Sequence, residues 1–208
     1  MTGGPERLRK ALDDAIREAV SGKDPAVAFS GGLDSGIIAA IVKEHAAHPA
    51  LYTVGSEGSH DIAAAKNSAA ELGMECSLIH ITEENVRSGL KEMISVTGTK
   101  DPVVLFFELP LFFVCKHSKE KDIITGQGAD ELFAGYSKYA GLGEIDLKRA
   151  RDEDLNKLRE ITLPHEQKVA EHFGKRMHYP FLDERVVREA DSQGIITIPS
   201  DDPAARKR

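Results

Sequence analysis

Cysteine is scarce in this chain. Only Cys76 and Cys115 occur among 208 residues, and they form no CxxC pair. That excludes a disulfide scaffold and a thiolate zinc site, and it reads as two reduced thiols in a cytoplasmic protein. Long hydrophobic runs are missing as well. The most apolar stretch, Val103 to Cys115, covers 13 residues and is interrupted by Glu108 and Pro110. It is too short to span a bilayer and reads as a buried helix, so no membrane association is expected. Residues 1–20 are charged throughout, so no signal peptide is expected either.

Basic charge is also in deficit. The formal net charge is −7, which argues against a general nucleic-acid binder, because phosphate binding needs a basic face. The tail Arg206-Lys207-Arg208 is one small basic candidate. The Walker pattern GxxxxGK(S/T) is absent, which excludes a kinase-like or GTPase-like phosphate loop. His165-Glu166 begins like HExxH, but Val169 holds the second histidine position and no zinc site follows. His165 and His172 read as polar surface.

What is present is an ordinary globular composition, 41% hydrophobic and 29% charged, in a length that suits one domain with a sizeable core. Leu8, Leu12, Ala15, Ile16 and Ala19 recur at helical spacing, so residues 5–20 read as an amphipathic helix. Buried strands are expected at 26–29, 51–54, 76–81 and 122–125. Helices fall between them at 37–45 and 61–72, after Thr82 as a cap, and from Asp101-Pro102, bent or split at Pro110. Strand and helix alternate as in a doubly wound parallel α/β sheet, whose ligands sit beyond the carboxyl ends of the strands. From about residue 137 the strands stop, and 152–162 and 164–173 read as polar helices. The expected organisation is one domain over 1–208, with the sheet in 1–136 and a mainly helical extension in 137–208.

Two loops carry the chemistry. Ser30-Gly31-Gly32-Leu33-Asp34-Ser35 lies between a strand and a helix. Two glycines allow close backbone approach, two serines add donors, and a helix N-terminus presents free N–H groups, which together make a pyrophosphate cradle. Asp34 inside such a cradle implies an intervening magnesium ion. The second loop, Gly126-Gln127-Gly128-Ala129-Asp130-Glu131-Leu132-Phe133, follows the fourth strand, so Asp130 becomes the partner acid for the metal.

These segments resemble a known family. Ser30–Ser35 resembles the SGGxDS loop of the ATP pyrophosphatases, the PP-loop enzymes. Ile124 to Tyr136 resembles the GEGxDELFxGY segment of asparagine synthetases, and Tyr179-Pro180-Phe181-Leu182-Asp183 their RVPFLD segment. The resemblance runs from about residue 6 to the end. It implies an adenine nucleotide alpha hydrolase-like fold of about five strands with a helical C-terminal part. It also implies ATP with Mg2+ and AMP-forming adenylation of a small carboxylate, followed by amide formation with an amine or ammonia. By position, Asp34 and Asp130 hold the metal and Ser30 to Ser35 the phosphates. Phe29, Val54, Thr125 and Gly126 line the base and ribose, mostly through backbone groups.

Four departures accompany the resemblance. Thr2 follows Met1 and no glutaminase domain precedes the loop, so ammonia would come from solution or a separate glutaminase subunit. Gln127 stands where the family has glutamate beside the reacting carboxylate, and an amide cannot act as a general base. Arg176-Met177-His178 changes the family's order of charge. The chain stops at Arg208, short of the family's basic helix, leaving Lys168 and Arg176 as candidate cations. On these grounds the chain alone is expected to be a poor asparagine synthetase. Two other readings stay open: a PP-loop enzyme acting on RNA, and a nucleotide-binding module that has lost ligation. A homo-oligomer also stays open.

Overall fold

Successive residues of a strand face opposite sides, and the short strands here divide their side chains accordingly. In the computed structural model, which describes residues 3–56 and 58–192, Val27, Leu51 and Ile124 face one hydrophobic layer, while Ala26, Tyr52 and Ile123 face the other. Both faces are therefore buried, as a parallel sheet requires. The strands are β1 (Ala26–Ala28), β2 (Ala50–Gly55), β3 (Cys76–His80), β4 (Asp122–Ile124) and β5 (Arg176–His178). They form one sheet in the order β3-β2-β1-β4-β5, parallel throughout, with Ala26 opposite both Ala50 and Ile123.

The first layer is built from α1 (Gly4–Val20), α2 (Leu33–His45), α3 (His60–Glu71) and later α9 (Glu184–Ser192). Helix α1 buries Ala11, Leu12, Ala15, Ile16 and Val20, an apolar stripe that packs on α2 and α9. The second layer holds α4 (Glu83–Thr97) and α5 (Pro102–His117). Thr82 caps α4 reciprocally with Asn85, and the Asp101 carboxylate accepts the Val103 N–H at 2.8 Å to open α5. Then come α6 (Ala129–Phe133), α7 (Glu144–Lys157) and α8 (Leu163–His172), the last packing on α4 and α5.

Two expectations need correction. Strands do not stop at residue 137: Arg176–His178 joins the sheet beside β4 as its edge. Three polar or long side chains at an edge carry no apolar run to reveal them. Helix α5 is not split at Pro110 but runs through it, because Leu109, Phe112, Phe113 and Val114 on both sides of the proline are held in the core. Residues 152–162 and 164–173 are helical as expected, with no break between them. A single π turn, Leu158–Thr162, joins α7 directly to α8. The basic tail Arg206-Lys207-Arg208 lies outside the described residues.

Candidate active site

The strand order reverses between β1 and β4, and such a switch point opens a crevice at the carboxyl ends of the strands. Both glycine-rich loops emerge there. In the first, Gly31 has φ +77°, and a Cβ on it would lie 2.5 Å from the Ala65 Cα, so only glycine passes beneath α3. The Ser30 and Ser35 hydroxyls lie 3.0 Å apart, Ser30 Oγ accepts the Gly32 N–H, and Ser35 Oγ donates to the Gly32 carbonyl. They shape the loop from within. No side chain caps the first turn of α2, whose N–H groups are left to meet an anion.

The second loop closes on the first. A Cβ on Gly126 would lie 3.2 Å from the Asp34 Cβ and 3.3 Å from the Ser35 nitrogen. Burial raises the Asp34 carboxyl to about 6, and the charges of Asp130 and Glu131 add to the effect. Burial also raises Asp130 and Glu131, the latter partly offset by the Tyr136 hydroxyl, which donates to it at 2.6 Å. A dication would relieve this crowding of acids, so Asp34 and Asp130 fit one. Another cluster, Asp13, Glu44 and His45, brings three ligand atoms within 4.8 Å, but it lies at the far end of α2 from the loops.

Phe29, Val54 and Thr125, the residues expected around the base and ribose, lie at or near the carboxyl ends of β1, β2 and β4. The Phe29 N–H donates to the Tyr52 carbonyl at 2.8 Å and its own carbonyl accepts from Thr53 Oγ1, so its backbone is already engaged. Val54 is half-buried near the end of β2. Thr125 is buried and accepts the Gln127 N–H through Oγ1.

Next to these loops is a cavity of about 520 Å³. Ala28, Thr125 and Gln127 form its floor at the strand ends; Val103, Phe107, Leu111 and Val114 of α5 form an apolar wall; Leu158 and Thr162 of the π turn close the opposite side. A π turn re-aims side chains within a helix and is common at functional sites. Two acids face inward, Glu108 from α5 and Glu166 from α8, only 4% and 5% exposed. Neither Glu108 oxygen is hydrogen-bonded, nor is Glu166 Oε2. Glu166 Oε1 accepts from Gln127 Nε2 at 3.0 Å. Burial, then the charge of Glu166, pushes Glu108 up to about 8, and burial pushes Glu166 up to about 7 against the opposing effect of the neighbouring Tyr179 hydroxyl.

Sequence reading passed over both of these acids. Glu108 stood out as the one charge in an apolar run, and that was the usable signal. Glu166 was seen only as part of a failed zinc motif. His165 is not polar surface, because its Nδ1 is buried 3.5 Å from Glu108 Oε1. His172 is exposed and pairs with Glu92. Lys168 is exposed on α8 and does not line the cavity. Arg176 begins β5 near Asp122, at the opposite end of the sheet from the loops. Among the described residues no helix is long and apolar enough to cross a membrane.

A family model described as asparagine synthase matches residues 7–160. Asparagine synthetase B (glutamine-hydrolyzing) of Escherichia coli is 29% identical over 199 residues, covering 86% of this chain and 36% of that protein. Asparagine synthetase 1 (glutamine-hydrolyzing) of Bacillus subtilis is 35% identical over 141 residues, covering 64% of this chain and 22% of its own length. The chain thus spans about a third or less of these relatives. Among solved structures, the "predicted subunit of tRNA methyltransferase" from Methanocaldococcus jannaschii aligns at 19% identity with a TM-score of 0.46, covering 82% of this chain and 76% of the other.

Proposed function

Because the chain belongs to the asparagine synthase family, we propose that it cleaves ATP between the α and β phosphates to adenylate a carboxylate, and transfers the acyl group to a nitrogen nucleophile. The observation that carries this reading is the closure of Gly126 on Asp34 and Ser35 beside an acid-lined cavity. It sets a phosphate cradle and a reaction chamber side by side at one sheet edge.

In this reading the Ser30–Ser35 loop and the first turn of α2 hold the β and γ phosphates as the leaving group. Asp34 and Asp130 hold Mg2+, which neutralises charge on the phosphates when bound. Val54, Thr125 and Gly126 contact base and ribose, and Phe29 contributes mainly by its position. Gln127 is not the base. It fixes Glu166, whose raised proton affinity suits a group that takes a proton near neutral pH. A partner RNA is not favoured, because Glu108, Glu131, Asp154 and Glu166 outnumber Lys138 and Lys157 in the cavity.

The test is to incubate the protein with ATP, Mg2+ and a panel of carboxylates and amines, then chromatograph the nucleotide. AMP with pyrophosphate is expected, and ADP as the main product would refute the reading. AMP formed without an amide would indicate adenylation alone.

A further inference from the structure

The cavity is far larger than ammonia needs, and its composition is divided. Its inner end presents Glu108 and Glu166, both nine-tenths buried or more, with three carboxyl oxygens that lack hydrogen bonds. Leaving such atoms bare is costly unless a ligand meets them. His165, Tyr179, Cys115 and Glu131 are the other titratable groups around the pair: His165 Nδ1 lies 3.5 Å from Glu108 Oε1, and the Tyr179 hydroxyl lies beside Glu166 and opposes the rise in its proton affinity, while among the described residues no lysine or arginine pairs with either acid. Lys138 lies at the outer end and is neutralised by Asp154 at 2.6 Å. The mouth is apolar. Val103 and Phe107 line it yet are 57% and 74% exposed, and Phe106 packs edge-on against Phe107.

We infer that this cavity binds the nitrogen nucleophile, and that this nucleophile is a primary amine with an apolar body rather than ammonia. The inference rests on the acyl-transfer reading above. Two buried carboxyl groups without a lysine or arginine partner match the N–H donors of an ammonium group, and the exposed apolar lip matches a hydrocarbon or aromatic body. Desolvated, the ammonium exchanges water for charge-assisted hydrogen bonds to Glu108 and Glu166.

The same pair balances the transfer step. One ammonium proton passes to Glu166, and the freed lone pair forms the C–N bond to the acyl carbon. The C–O bond to the adenylate breaks with its electron pair, releasing AMP, and the second N–H proton passes to Glu108. Two protons leave the nitrogen and two carboxylates receive them. Gln127 is a positioning residue: by occupying Glu166 Oε1 it turns Oε2 to the cavity.

The test is calorimetric titration of the full chain, without nucleotide, using phenethylamine, phenethyl alcohol and ammonium chloride. Phenethylamine is expected to bind at least about 10-fold more tightly than either of the others. E108Q and E166Q should each weaken it by about 10-fold or more, since each replaces a carboxyl that can ionise against the ammonium with an amide that cannot. F107A, at an exposed site that leaves the core intact, should weaken phenethylamine by about 3-fold or more and leave ammonium binding unchanged. Equal binding of the alcohol, equal binding of ammonium, or indifference to F107A would overturn the inference. Because no nucleotide is present, amine binding without AMP formation would count against the acyl-transfer reading alone. AMP formation without amine binding would count against the cavity assignment alone.

Discussion

The amide of Gln127 and the carboxylate of Glu166 are joined by a hydrogen bond of 3.0 Å, with Gln127 as the donor. A glutamate at 127 could not donate while ionised, and it would set a second acid against one that burial already raises to about 7. The Q127E variant is therefore expected to lose amide-forming turnover with amines, not gain it, by roughly 10-fold or more. It should also be less stable than the parent, most of all above neutral pH, where both carboxyls must ionise. Thermal melts at about pH 5.5 and about pH 8, on either side of the Glu166 value of about 7, check this. A stability gap that does not widen with pH would contradict it.

The ligand-free protein should lose stability as pH rises. Glu108 at about 8, Glu166 at about 7 and Asp34 at about 6 all hold protons in the fold that the unfolded chain releases near its ordinary carboxylate values. For raised acids the folded state binds more protons, so stability falls from about pH 5 up to about pH 8. Surface carboxylates such as Asp14, Glu18 and Asp183 are lowered by their basic partners and act oppositely, only on the acid side of that window. Melting temperatures across the range in wild type and E108Q decide it. The upper part of the slope should flatten in the variant.

Asp34 should show a trade between stability and binding. Removing its charge relieves its burial and its repulsion by Asp130 and Glu131. D34N is expected to melt higher than wild type above about pH 6 without ligand. It should bind Mg-ATP at least about 10-fold more weakly and lose the sensitivity to chelator. Melting and calorimetry with and without chelator test both halves. Unchanged affinity in every case would remove Asp34 from the metal site.

Pro110 offers a test of the unbroken α5. Inside a helix, proline removes an N–H donor and its ring crowds the carbonyl one turn back, here that of Phe106. P110A should stabilise the protein by about 1 kcal/mol, less than the full helix penalty because proline also restricts the unfolded chain. The urea midpoint should rise. A fall would mean that the helix is packed around the ring.

The cradle was legible because its signals are local. A serine-glycine turn before a helix, or Thr82 before Glu83 and Glu84, declares itself within a few residues. Glu108 was visible as a charge in an apolar run, but its meaning depends on Glu166, which only the packing of α5 on α8 brings near. The π turn left no compositional mark, and β5 is defined by a neighbour rather than by its own residues. Gln127 stands out within its loop, yet its partner Glu166 cannot be read from that loop.

The pairing of β1 with β4 also bears on how the chain comes together. Ala26 and Ile123 meet across roughly 100 intervening residues, and closing so long a stretch is entropically costly and slow. The Ser30–Ser35 loop and the Asp130 loop therefore become neighbours only once this closure is made. Under the proposed function, a nucleotide spanning both loops would add its binding energy to the finished sheet, not to the partly formed chain that precedes it. Its kinetic signature is a longer native lifetime with little change in folding rate.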